Sequence, residues 1–207
     1  MLDVGAGAGA ASLPLLDRAG TLIAVDQDEQ LLSELTKQAG GARRNVTTII
    51  GSWPAVAARV PAADVVVCHH VLYNVPDLKP FVDALDVHAR SRVVIEITAR
   101  HPVARLNPLW ERFHGLERPT RPTWEDALRT IRSFRDRVHA EREQIEADAT
   151  AESWNELVGF TCRRLCLPPA REAEVAAALI EQGTLPTDPS SWSGPNRDVV
   201  TFWWDLD

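Results

Sequence analysis

The chain has 207 residues, 45% hydrophobic and 25% charged, with a net charge of -7 and a pI near 5.4. That length provides for one sizeable core and predicts a single domain with a small appendage. The acidic balance disfavours nucleic acid or anionic membrane, which are usually met by a basic face, and fits a small neutral or cationic partner.

The 20 Arg against 2 Lys carry no functional reading. The three cysteines, Cys68, Cys162 and Cys166, cannot all pair within the chain, which fits a reducing, cytoplasmic compartment. Cys162 and Cys166 are four apart, so they would share a helix face as small buried hydrophobes, and no spacing of further ligands supplies a metal site. The uncharged run from Val4 to Leu16 lacks a cationic start and is too short to span a bilayer, so it reads as strand, loop and helix start. The sequence does not fix the oligomeric state.

Strand-like and helix-like runs alternate through the first hundred residues, the pattern of βαβ units around a parallel sheet covered on both faces. Leu2 to Val4 is a short apolar strand. Leu13 to Ala19 reads as a helix, with Ser12 as N-cap and Pro14 in its first turn. Thr21 to Val25 is the second strand. Asp28 then caps a helix whose Leu31, Leu32 and Leu35 form an apolar stripe ending at Gly40-Gly41. Val46 to Ile50 is the third strand, Pro54 to Arg59 a short helix, and Val65 to His70, opened by Asp64, the fourth strand. Leu78 to Ala89 returns as a helix and Val93 to Thr98 is the fifth strand.

Beyond residue 99 the composition changes, with 10 Arg between Arg100 and Arg142 and an irregular, proline-punctuated stretch. Thr123-Trp-Glu-Asp126 is similar to a capping box and leads a helix to about Phe134. Val138 to Ile145 is strand or further helix. Thr150 caps a helix running to Cys166, a second runs from Glu172 to Gln182 with Gly183 as its stop, and Val199 to Trp204 is a last strand. The predicted fold is α/β: a Rossmann-like, doubly wound, mostly parallel sheet with helices on both faces and a C-terminal α/β elaboration. Residues 1–99 form the ligand-binding core, and residues 100–207 a lid or substrate segment completing the same domain.

Gly5, Gly7 and Gly9 follow the first strand directly, so the backbone there can turn tightly and approach a ligand with no Cβ in the way. Asp26 lies 21 residues after Gly5 at a strand end, where a carboxylate can accept two hydrogen bonds from ribose hydroxyls. Together they point to a nucleoside-like ligand, and the same spacing satisfies the dinucleotide fingerprint with Ala10 in its third glycine position.

Leu2-Asp-Val-Gly-Ala-Gly-Ala-Gly9 resembles the glycine motif of class I S-adenosylmethionine-dependent methyltransferases. The resemblance implies that Asp3 lies near the methionine part of the cofactor, that Gly5, Gly7 and Gly9 approach it, and that Asp26, beside Gln27, holds the ribose. NAD-binding domains usually carry an apolar residue at the position of Asp3. Gly51-Ser-Trp53 continues the likeness: Ser52 stands where the family often has an Asp for the adenine amino group, and Trp53 is placed to stack on the base. Cys68-His-His-Val-Leu-Tyr-Asn-Val-Pro-Asp77 is similar to the family's fourth-strand end, which puts Cys68 and His69 beside the methionine part. These matches cover about residues 1–100.

Methyl transfer from a sulfonium is an in-line displacement that alignment alone can accelerate, so dedicated catalytic groups can be few. An acceptor that must lose a proton needs a base, and His70, with Tyr73 nearby, is the candidate. Because adjacent strand residues point to opposite faces, only one of His69 and His70 is expected to face the methyl group. Glu96 interrupts the apolar fifth strand and is a candidate substrate-binding residue, as are His101, Trp110 and His114 along the same sheet edge. The function read here is S-adenosylmethionine-dependent methyl transfer to a small-molecule acceptor. The alternatives are an NAD(P)-dependent oxidoreductase and a non-catalytic nucleotide-binding module. A first strand starting at Met1 further predicts either missing upstream helices that would close over the cofactor or a lid role for Arg100 to Trp124.

Overall fold

The computed structural model describes residues 1–40, 45–145, 151–192, 194 and 197–206. Its strands are β1 (Leu2–Val4), β2 (Leu22–Asp26), β3 (Val46–Ile50), β4 (Ala63–His69), β5 (Ala89–Thr98), β6 (His139–Ile145) and β7 (Arg197–Asp205), hydrogen-bonded in the order β3-β2-β1-β4-β5-β7-β6. The pairs β3·β2, β2·β1, β1·β4 and β4·β5 are parallel. This is the expected Rossmann-like sheet. From β1 the chain winds outward through β2 to β3, then crosses back to β4 on the other side, so the winding reverses between β1 and β4. At such a reversal the connections leave in opposite directions and open a crevice at the carboxyl ends of the strands.

The helices are α1 (Glu29–Gln38), α2 (Leu78–His88), α3 (Asn107–His114), α4 (Trp124–Arg132), α5 (Ala151–Arg164) and α6 (Glu172–Glu181). Alternation along β2 shows how the sheet divides two cores. Leu22 and Ala24 pack with Leu32 and Leu35 of α1, whereas Val25 belongs to the cluster that includes Phe81, Val82 and Leu85 of α2. A period of two on a strand meeting helices on both faces produces this split. The chain separates into two compact units, Met1–Ala99 with Pro122–Arg142 and Val200–Asp207, and Arg100–Arg121 with Glu143–Val199. The second has its own core, including Leu109, Val158, Leu165, Val175 and Leu179.

Several local expectations are met by side-chain chemistry. Asp28 caps α1, accepting from the amides of Gln30 and Leu31 at 2.9 and 3.2 Å. Asp126, though shorter than the usual Glu, reaches back to the Thr123 amide at 3.0 Å at the start of α4. Gly183 ends α6 with a φ of +70°.

Others are corrected. The helix expected over Leu13 to Ala19 is one 3-10 turn at Leu13–Leu15, and the Ser12 side chain does not cap it. Seven residues with a proline near the start, closed by Gly20, are too few to repay helix nucleation. Pro54 to Arg59 likewise yields a 3-10 turn only at Ala57–Arg59. The stretch read as irregular contains α3, which Pro108 starts and Gly115 ends with a φ of +64°. Proline there marks a helix start rather than a break. Cys162 and Cys166 do not share a buried face: α5 ends at Arg164, Cys166 turns left-handed with a φ of +54°, and its side chain is exposed while Cys162 is buried. The expected cap at Thr150 and the stop at Gly41 lie outside the described residues.

Candidate active site

The carboxyl ends of β1 to β4 deliver the conspicuous residues of the sequence to one edge of the sheet. Gly5 follows β1, Asp26 ends β2, Ser52 and Trp53 follow β3, and His69 ends β4. They line a cavity of about 290 Å³ with Val4, Val25, Gln27, Gly51, His70, Val71, Asn74, Val75 and Phe81. Gly5, Asp26, Gln27, Ser52, Trp53, His69 and His70 are thus brought together. Asp3, Gly7, Gly9, Cys68, Tyr73 and Glu96 are not on this wall.

The glycine loop is built to approach closely. Gly5 has a φ of +77°, and a Cβ there would sit 2.2 Å from a methyl of Val71. At Gly9, with a φ of +88°, it would meet Leu13 at 2.7 Å and Leu35 at 2.9 Å. Four of the loop amides, however, are spent within the protein. Those of Gly5 and Ala6 both donate to Val25 O at 2.8 and 3.0 Å, that of Gly9 to Ala6 O at 2.8 Å, and that of Gly7 to Asp26 Oδ2 at 2.8 Å. A pyrophosphate-binding loop needs free amides and a helix N-terminus aimed at the anion. This loop turns those amides inward and leads only into a 3-10 turn.

Asp26 is held from both sides, Oδ2 by the Gly7 amide and Oδ1 by the Asp28 amide at 2.9 Å. A carboxylate has about four lone-pair sites, so two stay open for hydroxyl donors. Trp53 is fixed by its indole N–H, which donates to Phe81 O at 3.2 Å, and by His88, whose ring meets it edge-on at 5.0 Å. His88 was not singled out in the sequence. It is buried, with Nδ1 2.7 Å from Ala84 O and Nε2 2.9 Å from Ala57 O, so it backs the Trp53 wall.

Asp3 lies behind the loop, 1% exposed, and neither carboxylate oxygen has a hydrogen-bond partner among the described residues. Burial pushes its pKa up to about 6; the Ser12 hydroxyl, close by but outside hydrogen-bond geometry, works against the rise and the Asp26 charge adds to it. An orphaned buried carboxylate beside a glycine loop fits a ligand that brings a positive donor, such as the ammonium of an amino acid. Cys68 is fully buried in the core, and burial raises its thiol pKa far out of the reactive range, Asp3 adding to the rise.

The expected alternation between His69 and His70 is broken. β4 stops at His69, and His70 takes a left-handed φ of +59° while its amide donates to Glu96 O at 2.7 Å. Both imidazoles therefore line the cavity. Glu96, paired in register with His69 across β4 and β5, places Oε1 3.8 Å from His69 Nδ1 and 3.3 Å from His70 Nε2. Burial holds the His69 pKa below its ordinary value, Glu96 pulling it back up and His70 lowering it further.

Tyr73 is engaged elsewhere: its hydroxyl donates to Thr98 O at 3.1 Å and also meets the Thr98 hydroxyl and amide. Burial raises its pKa, the Thr98 bonds oppose this and Glu96 adds to it, so it stays a neutral phenol that ties the 70–75 segment to β5. His101, Trp110 and His114 belong to the second unit. There Trp110 and His114 pack at a tilt of 34° with ring centroids 4.8 Å apart, and His114 Nε2 lies 2.7 Å from Leu165 O. His101 is exposed. Val71, Asn74, Val75 and Phe81 complete the cavity wall and were missed, since three are apolar residues bordering a strand or helix, which give no signal that separates wall from core, and a single Asn in a turn looks like an ordinary turn residue.

Residues 2–91 match a family profile described as a methyltransferase domain. No curated protein matches the chain in sequence. Among solved structures it is similar to the YcgJ protein of Bacillus subtilis, with 16% identity, a TM-score of 0.58 and coverage of 99% of this chain and 90% of that one. It is also similar to precorrin 8W decarboxylase of Methanobacterium thermoautotrophicum, with 14% identity, a TM-score of 0.57 and coverage of 99% and 80%. A third is the magnesium protoporphyrin IX methyltransferase of Synechocystis PCC 6803 with bound SAH, at 13% identity, a TM-score of 0.55 and coverage of 98% and 72%. These likenesses show the fold. No helix among the described residues is long and apolar enough to cross a membrane. Residues 2–91, the part of the chain that carries the cavity, match a methyltransferase domain.

Proposed function

We propose that the chain is an S-adenosylmethionine-dependent methyltransferase acting on a small-molecule acceptor whose O–H or N–H group surrenders its proton as the methyl group arrives. The observation that carries the reading is the sequence of groups along one cavity: Trp53 and Ser52 at one strand end, Asp26 at the next, and the His69–His70 pair beyond Gly5. An aromatic face, a carboxylate with open lone pairs and a base suit a purine, a ribose and a reacting centre in that order. Asp3 behind the loop and Gln27 beside Asp26 complete the cofactor set, while Gly7 contributes by holding Asp26 and Gly9 by letting the loop pack on Leu13 and Leu35.

When bound, S-adenosylmethionine supplies a methyl group from its sulfonium, the C–S electron pair returning to sulfur as the acceptor bond forms. The protein's own part is alignment and proton removal, with His70 as the base. The net charge of -7 supports a small acceptor over nucleic acid, and the free thiols of Cys68, Cys162 and Cys166 support a reducing cytoplasm. Every residue used lies within Met1–Ala99.

Calorimetry with S-adenosylhomocysteine and with NAD tests the cofactor reading. Binding of the first alone is expected, and heat with NAD alone would return the site to the oxidoreductase alternative. Labelled methyl donor offered to dialysable and to macromolecular cell fractions tests the acceptor, and label found only in the macromolecular fraction would overturn the small-molecule reading.

A further inference from the structure

Glu96 is the one acidic side chain of β5, and its surroundings are specific. Its backbone carbonyl accepts the amide of His70 at 2.7 Å, while its carboxylate lies 3.3 Å from Nε2 of the same histidine. Main chain and side chain of one residue thus grip both ends of another. That grip holds His70 in a left-handed conformation, a φ of +59°, which an L side chain adopts only against steric strain. Strain of this kind persists where surrounding contacts over-determine it. Glu96 itself is off the cavity wall, whereas His70 is on it.

The 3.3 Å approach lies outside hydrogen-bond geometry, yet a carboxylate that only accepts favours the imidazole tautomer whose proton sits on the nitrogen facing it. That biases the neutral ring of His70 toward the Nε2–H form and leaves Nδ1, which has no partner among the described residues, with its lone pair free. We propose that Glu96 is a positioning residue, its carboxylate fixing the tautomer and orientation of His70 so that Nδ1 takes the proton of an O–H or N–H acceptor. This rests on the functional reading above, in which His70 is the base. The balance is simple. The acceptor heteroatom loses its proton to Nδ1 as its new bond to carbon forms, and the resulting imidazolium lies beside the Glu96 charge. His69, on the other side of the same carboxylate, is the more buried imidazole, and burial disfavours its charged form.

The test is the ring-nitrogen NMR spectrum of the 15N-labelled full chain, recorded above the histidine titration range, with S-adenosylhomocysteine affinity measured in parallel. In the wild type, His70 is expected as a single Nε2–H tautomer. Glu96→Ala should move both ring nitrogens toward the averaged pattern of an unrestrained imidazole, and Glu96→Gln, whose amide oxygen still accepts, should restore the wild-type pattern. S-adenosylhomocysteine affinity should change by less than about threefold in both variants, since Glu96 lines no part of the cavity. An averaged pattern already present in the wild type, which needs no variant to fold, or a pattern unchanged in Glu96→Ala, would overturn the proposal. Absence of S-adenosylhomocysteine binding by the wild type would instead count against the functional reading beneath it.

Discussion

The amide of Gly7 donates to Oδ2 of Asp26 at 2.8 Å across 19 residues of sequence, so the glycine loop and the acid at the end of β2 form one device. The carboxylate steadies the loop, and the loop orients the carboxylate. On the proposed reading, truncating Asp26 would remove its contacts to the ribose as well as release the loop. Asp26→Ala is expected to weaken S-adenosylhomocysteine binding by about 1.5–3 kcal/mol, the range for charge-assisted hydrogen bonds, with the fold retained. Calorimetry together with a normal melting transition checks this, and unchanged affinity would remove Asp26 from the ribose role.

Asp3 should oppose stability as it serves binding. Its pKa is about 6 in the folded chain against 3.8 for the ordinary group. Between those values the folded state holds the proton and the unfolded state does not. Stability from this group is therefore full below about 3.8 and is lost as pH rises through about 6. Asp3→Asn, which removes the charge, is expected to stabilise the ligand-free protein at pH 7 by on the order of 2–3 kcal/mol and to flatten its stability between pH 4 and 6. The same variant should bind S-adenosylhomocysteine more weakly. Denaturant unfolding across pH and calorimetry decide both halves.

Trp53 is held by Phe81 O and braced by His88, which presents an indole to the cavity already ordered. Base stacking on such a platform is worth about 1–3 kcal/mol by alanine substitution. Trp53→Ala is expected to lose that much affinity for both S-adenosylhomocysteine and adenosine. A loss with the first ligand only would place the purine elsewhere.

Tyr73 and the proposed base His70 would separate structural from chemical roles within four residues. With its hydroxyl committed to Thr98, Tyr73→Phe should cost about 1 kcal/mol of stability and leave S-adenosylhomocysteine affinity intact. Reduced affinity at unchanged stability would assign the phenol to the site after all.

The first five strands were legible because they contain short apolar runs punctuated by Gly, Asp and Pro, whereas β6, exposed and rich in charge, carries no such run and read equally as strand or helix. The cofactor edge was legible because glycine spacing and a strand-end acid are local signals. The histidine pair was only half legible. Alternation along β4 predicts opposite faces, but the bond from the His70 amide to Glu96 O turns the chain left-handed one residue past the strand, a long-range contact with no sequence signature. His88 escaped for a similar reason: its partner Ala57 is 31 residues away, and a lone histidine at a helix end looks ordinary. Pro108 misled in the opposite direction, since a proline that opens α3 looks locally like one that prevents a helix.

The strain at His70 gives the last prediction. The residue occupies a φ of +59°, where glycine is at ease and alanine is not. His70→Ala and His70→Gly both remove the imidazole, so they should be equally impaired wherever the ring matters. They should differ in stability. The glycine variant loses more backbone entropy on folding, by roughly 0.5–1 kcal/mol, but escapes the left-handed penalty of about 1–2 kcal/mol. The balance leaves His70→Gly more stable than His70→Ala by about 1 kcal/mol, read as a higher denaturant midpoint at unchanged slope. Both variants should bind S-adenosylhomocysteine nearly as the wild type does and transfer methyl groups more slowly, the pattern of a group that acts in the transition state rather than in cofactor binding. Equal stabilities would mean that the backbone at position 70 relaxes once the ring is gone, and that Glu96 holds the side chain rather than the main chain. Equal losses of affinity and rate would reduce His70 to a packing residue of the cavity wall.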